Sequence, residues 1–92
     1  MTLAYAKSSL RIYHNLEDGE IQEVITSAEA DLATAGVTVT EDEEPLVTTA
    51  IIFYLRAYFN FEERGDKYAK DYEKLKALLS SNYDVPGGQT DV

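Results

Sequence analysis

Glu41, Asp42, Glu43 and Glu44 form the densest group of ionisable side chains in this sequence. Paired carboxylates can act as general acid and base, or hold a hard cation through oxygen ligands. No histidine, glycine-rich loop or calcium-loop spacing accompanies these four, so they read as helix-start electrostatics and solvation. His14 is the single histidine, set between Tyr13 and Asn15, with Ser8 and Ser9 a few residues before it. A catalytic histidine needs a nucleophile on one side and an orienting group on the other. Proximity in sequence supplies neither, and His14 reads as a surface or structural residue. The chain has no cysteine, which removes thiolate metal sites, disulfides and a cysteine nucleophile. It also lacks a phosphate-binding loop and an HExxH pair. No catalytic, cofactor-binding or metal-ligating residue is assigned, no cofactor is expected, and the chain is not expected to be an enzyme.

The remaining chemistry is that of surfaces. Seven tyrosines and three phenylalanines are present, and Tyr54, Tyr58, Phe59, Phe61, Tyr68 and Tyr72 cluster in the second half. Tyrosine suits a core edge or an interface, having an apolar body and a polar tip. Seventeen acids against eight bases give a formal charge of −9. Ten of the acids, and no lysine or arginine, lie between Ile12 and Leu55. The first half is therefore strongly anionic and the rest close to neutral, an asymmetry that speaks of partners or solubility rather than of fold. Net negative charge disfavours binding to phosphate backbones and to anionic membranes. The apolar runs are far shorter than the ~20 residues of a membrane span, and the N-terminal residues lack a signal-peptide core.

At 92 residues the chain fits one domain with a small core, for which self-association is the remaining source of support. The spacing predicts an all-α fold, a compact bundle of about four helices. Leu3, Ala6 and Leu10 mark a short first helix over residues 2–11, with Thr2 as its cap. A polar corner, residues 14–19, leads into a second helix over residues 18–35. Its apolar face is Ile21, Val24, Ile25, Ala28 and Leu32, and Gly36 closes it. The alternation in Val37–Thr40 fits a short strand or an extended loop. The third helix, the most hydrophobic, begins near Asp42 with Pro45 in its first turn. Leu46, Val47, Ala50, Ile51, Tyr54, Leu55, Tyr58 and Phe59 make its broad apolar face, with Ile52, Phe53 and Phe61 off it. Such a helix is either central to the core or packed on another subunit. Gly65 is expected to cap its end. The fourth helix spans 66 to about 80, with Tyr68, Tyr72, Leu75 and Leu79 inward and Asp66–Lys70 spaced as an ion pair. Residues 1–81 are expected to form one helical domain and 82–92 a flexible tail.

This pattern resembles the small all-helical head–tail connector (adaptor) proteins of tailed phages and prophages, the gp6-like family. The resemblance spans residues 3 to 80. It is carried by Leu10-Arg11-Ile12, the acidic run 15–21, the alanine-rich end of helix two (28–36) and the hydrophobic stretch 46–59. It implies a structural role at the head–tail junction of the virion, after assembly in the bacterial cytoplasm. It also implies a ring of about twelve or thirteen copies, closed by a heterologous self-contact. The partners it implies are the portal protein and a tail or stopper protein, with DNA passing through the ring without sequence-specific binding and no membrane involved. Charge and aromatic content then nominate an interface. Glu41, Asp42, Glu43 and Glu44 supply one side, and Phe53, Arg56, Phe61, Arg64, Tyr68, Lys70 and Lys74 the other. Alternatively the acids line the channel and repel DNA. The rival readings are a small acidic helical adaptor, or an inhibitor, binding one partner protein as a monomer or dimer.

Overall fold

Thr2 begins the first helix as the spacing requires: its hydroxyl accepts from the Tyr5 N–H at 3.1 Å. A computed structural model describes residues 1–39 and 44–84, and it contains four α-helices in that stretch. Helix α1 (Leu3–Leu10) ends where Arg11 turns left-handed at φ 58°. The Arg11 and Ile12 amides then bond back to Ser8 and Lys7, a Schellman-type closure made without glycine.

Helix α2 (Asp18–Thr34) carries Asp18 and Glu20 in its first turn, where carboxylates suit the helix dipole. Gly36, at φ 91°, stops it as expected. The Val37 amide returns to the Leu32 carbonyl at 2.9 Å, which drops the Val37 side chain into the core. Among the described residues 37–39 form no strand. They form a loop that follows the end of α2.

Helix α3 (Pro45–Tyr58) starts later than the expected position near Asp42. A residue before proline avoids the helical region, and Glu44 sits extended at ψ 149°. Glu41, Asp42 and Glu43 lie outside the described residues. The expected apolar face of α3 divides on folding. Val47, Ala50, Ile51 and Leu55 are buried, whereas Leu46 and Tyr58 stand exposed at its two ends. Helix α3 packs against α1, α2 and α4, most extensively α4, and so is central to the core.

An irregular 3-10 turn, Phe61–Glu63, joins α3 to α4. Asn60, Glu62 and Glu63 all take positive φ there, a costly arrangement for residues with a Cβ. Gly65 does not cap α3. It is the first residue of α4 (Gly65–Asp84), held by its amide on Asn60 Oδ1 at 2.9 Å. Helix α4 outruns its expected end near residue 80. Its Leu79 is buried, and the Ser80 hydroxyl donates to the Ala35 carbonyl at the end of α2. That tertiary bond fixes the α4 backbone at the position where the sequence placed the helix end. The tail expected at 82–92 otherwise lies outside the described residues from 85 on. The result is an all-α bundle with Ile21, Ile25, Leu32, Ile51, Leu55 and Leu79 at its centre. Each such side chain contributes about 1.5–3 kcal/mol of burial.

Candidate interaction surfaces

Arg56, in the last turn of α3, holds α1 to the rest of the bundle. Its Nη2 and Nε donate to the Ser9 carbonyl at 3.1 and 3.3 Å, satisfying an oxygen left unpaired at the end of α1. The guanidinium lies over the Phe61 ring at 4.5 Å and near the Tyr68 ring at 5.4 Å. Arg11 stacks on Phe61 at 5.4 Å and pairs with Glu62 at 2.9 Å. Lys67 lies 5.3 Å from Tyr68 and pairs with Asp71 at 2.7 Å, so that pair forms rather than Asp66–Lys70. Phe53 meets Tyr68 from inside at 6.0 Å. Five residues nominated as an interface from sequence thus separate here. Arg56, Phe61 and Tyr68 build an internal ladder, Phe53 reaches both this ladder and the surface, and Arg64 is exposed.

A second polar seam ties α2 to α4. The Asp31 carboxylate accepts from the Tyr72 hydroxyl and from Lys76 Nζ, the latter at 3.0 Å. The Tyr72 hydrogen bond, then Lys76, holds Asp31 below the usual carboxylate range against the opposing cost of burial. Burial first, and the Asp31 carboxylate second, push the Tyr72 phenol far above its usual value. The bond to Asp31 raises the Lys76 ammonium in turn. Nearby, the Tyr58 hydroxyl donates to Glu20 at 2.9 Å, which raises the Tyr58 phenol. Tyr54, Tyr58 and Tyr72 with Asp31 and Glu73 line a shallow cleft of about 330 Å³. Part of the anionic stretch is therefore matched by bases of the same chain. Asp31 meets Lys76 and Asp18 meets Lys7 at 2.8 Å, while Glu62, outside that stretch, meets Arg11.

Among the described residues, two places bring exposed large apolar side chains together. On the other side of α4, Leu46, Thr49 and Phe53 of α3 and Asp71, Lys74, Leu75 and Leu78 of α4 line an apolar groove of about 430 Å³. Leu46 is 45% and Leu78 53% exposed. The structure thus brings the nominated Phe53 and Lys74 together and leaves Lys70 exposed on the same helix. No described side chain pairs with Arg64, Lys70 or Lys74. The nominated Glu44 is exposed at the start of α3, one residue before Pro45. The second open place is the corner between α1 and α2, where Tyr13 is 80% and Leu16 88% exposed. His14 belongs to this corner: its Nδ1 accepts from the Leu16 amide at 3.2 Å and its Nε2 lies 3.8 Å from Glu17. Ser9 donates to the Ala6 carbonyl of its own helix, so it forms no dyad with His14. Sequence reasoning missed Leu46, Leu75 and Leu78 as a surface and Tyr13 and Leu16 altogether. The available signal was an apolar residue off the helical stripe, Leu78, and apolar residues inside a turn.

Among the described residues no group of three or more His, Asp or Glu side chains is placed to hold a metal ion. No described helix is long and apolar enough to cross a membrane. What the surface offers is contact area and charge. Searches of curated proteins and of solved structures gave no match. The model of the family described as phage connector protein matches residues 3–86. That match opens on the first residue of α1 and passes the last residue of α4. All four helices are thus covered by one assignment, and the chain belongs to the phage connector protein family.

Proposed function

We propose that this protein is a structural subunit of the head–tail junction, assembling as a ring between portal and tail through which DNA passes. The single observation that carries this reading is the connector-family match over residues 3–86. The surface supports it. A small bundle that leaves Leu46, Leu78, Tyr13 and Leu16 exposed has apolar area available for neighbours. Its partners in this reading are further copies of itself, the portal protein and a tail or stopper protein. DNA is a passenger, repelled rather than gripped by a chain of charge −9. The protein acts at the head–tail junction of the virion after assembly in the bacterial cytoplasm.

Absolute mass in solution tests the proposal, by light scattering or native mass spectrometry from ~1 to several hundred micromolar. A species near twelve or thirteen copies, alone or on a portal ring, is the expected result. A monomer or dimer that also ignores the portal would overturn it and favour a small acidic adaptor or inhibitor with one partner protein. Neutralising Glu41, Asp42, Glu43 and Glu44 together separates two roles for those acids. Altered assembly assigns them to docking, and intact assembly to the channel wall.

A further inference from the structure

We infer that the groove between α3 and α4 receives the α1–α2 corner of a second copy of this chain, with Leu16 and Tyr13 as the inserted side chains. This rests on the self-assembly proposed above and specifies its contact. The groove is shallow and largely apolar, with Leu46, Phe53, Leu75 and Leu78 among its lining. The corner projects the two most exposed large apolar side chains described, Leu16 at 88% and Tyr13 at 80%. It is also held in shape before binding. Lys7 reaches Asn15 and Asp18, both at 2.8 Å, and the Leu16 amide bonds to His14. A pre-shaped knob loses little entropy on docking.

Charge favours the same pairing. Glu17 and Glu20 flank the corner at the start of α2, where no basic residue follows before Arg56. On the rim of the groove Asp71 is already neutralised by Lys67 at 2.7 Å. Lys74 on that rim, and Lys70 one turn before it, have no partner among the described residues. The α4 edge of the groove therefore carries unpaired positive charge and the corner net negative charge.

The corner does not reach the groove of its own chain. Ser9 and Arg11 bind the corner's base to Arg56 and Phe61, at the C-terminal end of α3. Leu46 opens the groove at the other end of α3, ten residues or ~15 Å away along the helix. Knob and groove are different patches of one surface, so a contact made once per pair of copies is heterologous and propagates from copy to copy, whereas a reciprocal pair would close as a dimer.

The absence of cysteine makes the test direct. Leu16→Cys and Leu78→Cys variants are purified separately, both at exposed positions, and mixed at concentrations where the mass measurement shows oligomer. Oxidation or a short bismaleimide should then cross-link the mixture at least tenfold more than either variant alone. Leu16→Glu should weaken association by about tenfold or more, with unchanged helical circular dichroism. An oligomer in which the mixture fails to cross-link, or in which Leu16→Cys joins chiefly to itself, overturns this contact and leaves the ring reading standing. If the protein stays monomeric throughout the range, the two variants are mixed on a portal ring instead: a ring without the mixed cross-link overturns this contact, and no ring at all overturns the reading on which it rests.

Discussion

Asp31 takes two hydrogen bonds on one carboxylate oxygen, and both come from α4. Tyr72 is buried, so Tyr72→Phe removes a charge-assisted bond at little cost in packing. It should lower stability by about 1–2 kcal/mol in urea unfolding at pH 7. The pH dependence follows from the two shifted groups. Asp31 is depressed in the fold, so its contribution is complete above its unfolded value of 3.8 and is lost as pH falls through the folded one. Tyr72 is raised, so its contribution is complete below its unfolded value of 10.0 and is lost as pH rises toward the folded one. Melting temperature against pH should therefore fall at both ends. In Tyr72→Phe the alkaline fall should shrink, and the acid fall should shrink also, because Tyr72 is the chief cause of the Asp31 shift. Arg56 gives a second residue-level prediction. Lysine keeps the charge but can neither fork onto the Ser9 carbonyl nor stack flat on Phe61. Arg56→Lys should cost about 1–2 kcal/mol and speed amide exchange in α1, with Arg11→Lys, at an exposed pair, nearly neutral.

Helix boundaries in this protein are decided by single backbone groups. Alanine is a better helix former than glycine by about 1 kcal/mol in a helix interior, which on propensity alone makes Gly65→Ala harmless or helpful. The packing reverses the sign. A Cβ at Gly65 would stand 2.8 Å from Asn60 Oδ1 and 3.1 Å from the Ala57 carbonyl oxygen. Asn60 Oδ1 is also the acceptor of the Gly65 amide, so it cannot swing aside without uncapping α4. Gly65→Ala should lose about 1–3 kcal/mol, several degrees of melting temperature in a domain this small. The extension of α4 beyond residue 80 obeys the same logic, since Ser80 bonds the last open carbonyl region of α2. Periodicity located all four helices because each buries one stripe. Their ends followed capping partners distant in sequence, which periodicity does not see.

Among the described residues most acids of α2 meet a partner inside the chain, while Lys70 and Lys74 meet none. The long-range field of a chain of charge −9 is negative and the α4 rim carries positive charge, which favours one orientation when copies meet. Lys70→Glu with Lys74→Glu should weaken association about tenfold or more in sedimentation, with helical content unchanged because both side chains are exposed and meet no described partner. Mixing that variant with Glu17→Lys/Glu20→Lys should restore part of the association. The rescue separates a specific pairing from general repulsion between chains of charge −9.

The sequence by itself determined the all-α class, the four helices, most of their buried stripes and the Gly36 stop. These depend on local periodicity and on backbone rules that operate within a few residues. Phe53 and Lys74, nominated from the sequence, both line the groove between α3 and α4. Only the tertiary structure decided that Arg56, Phe61 and Tyr68 turn inward as a ladder, that Asp31 is claimed by Tyr72 and Lys76, and that Leu46 and Leu78 open one groove. An apolar or charged side chain carries the same propensity whether its partner lies in its own chain or in another. Which partner it meets is set by how helices distant in sequence cross, and that crossing is absent from any local pattern.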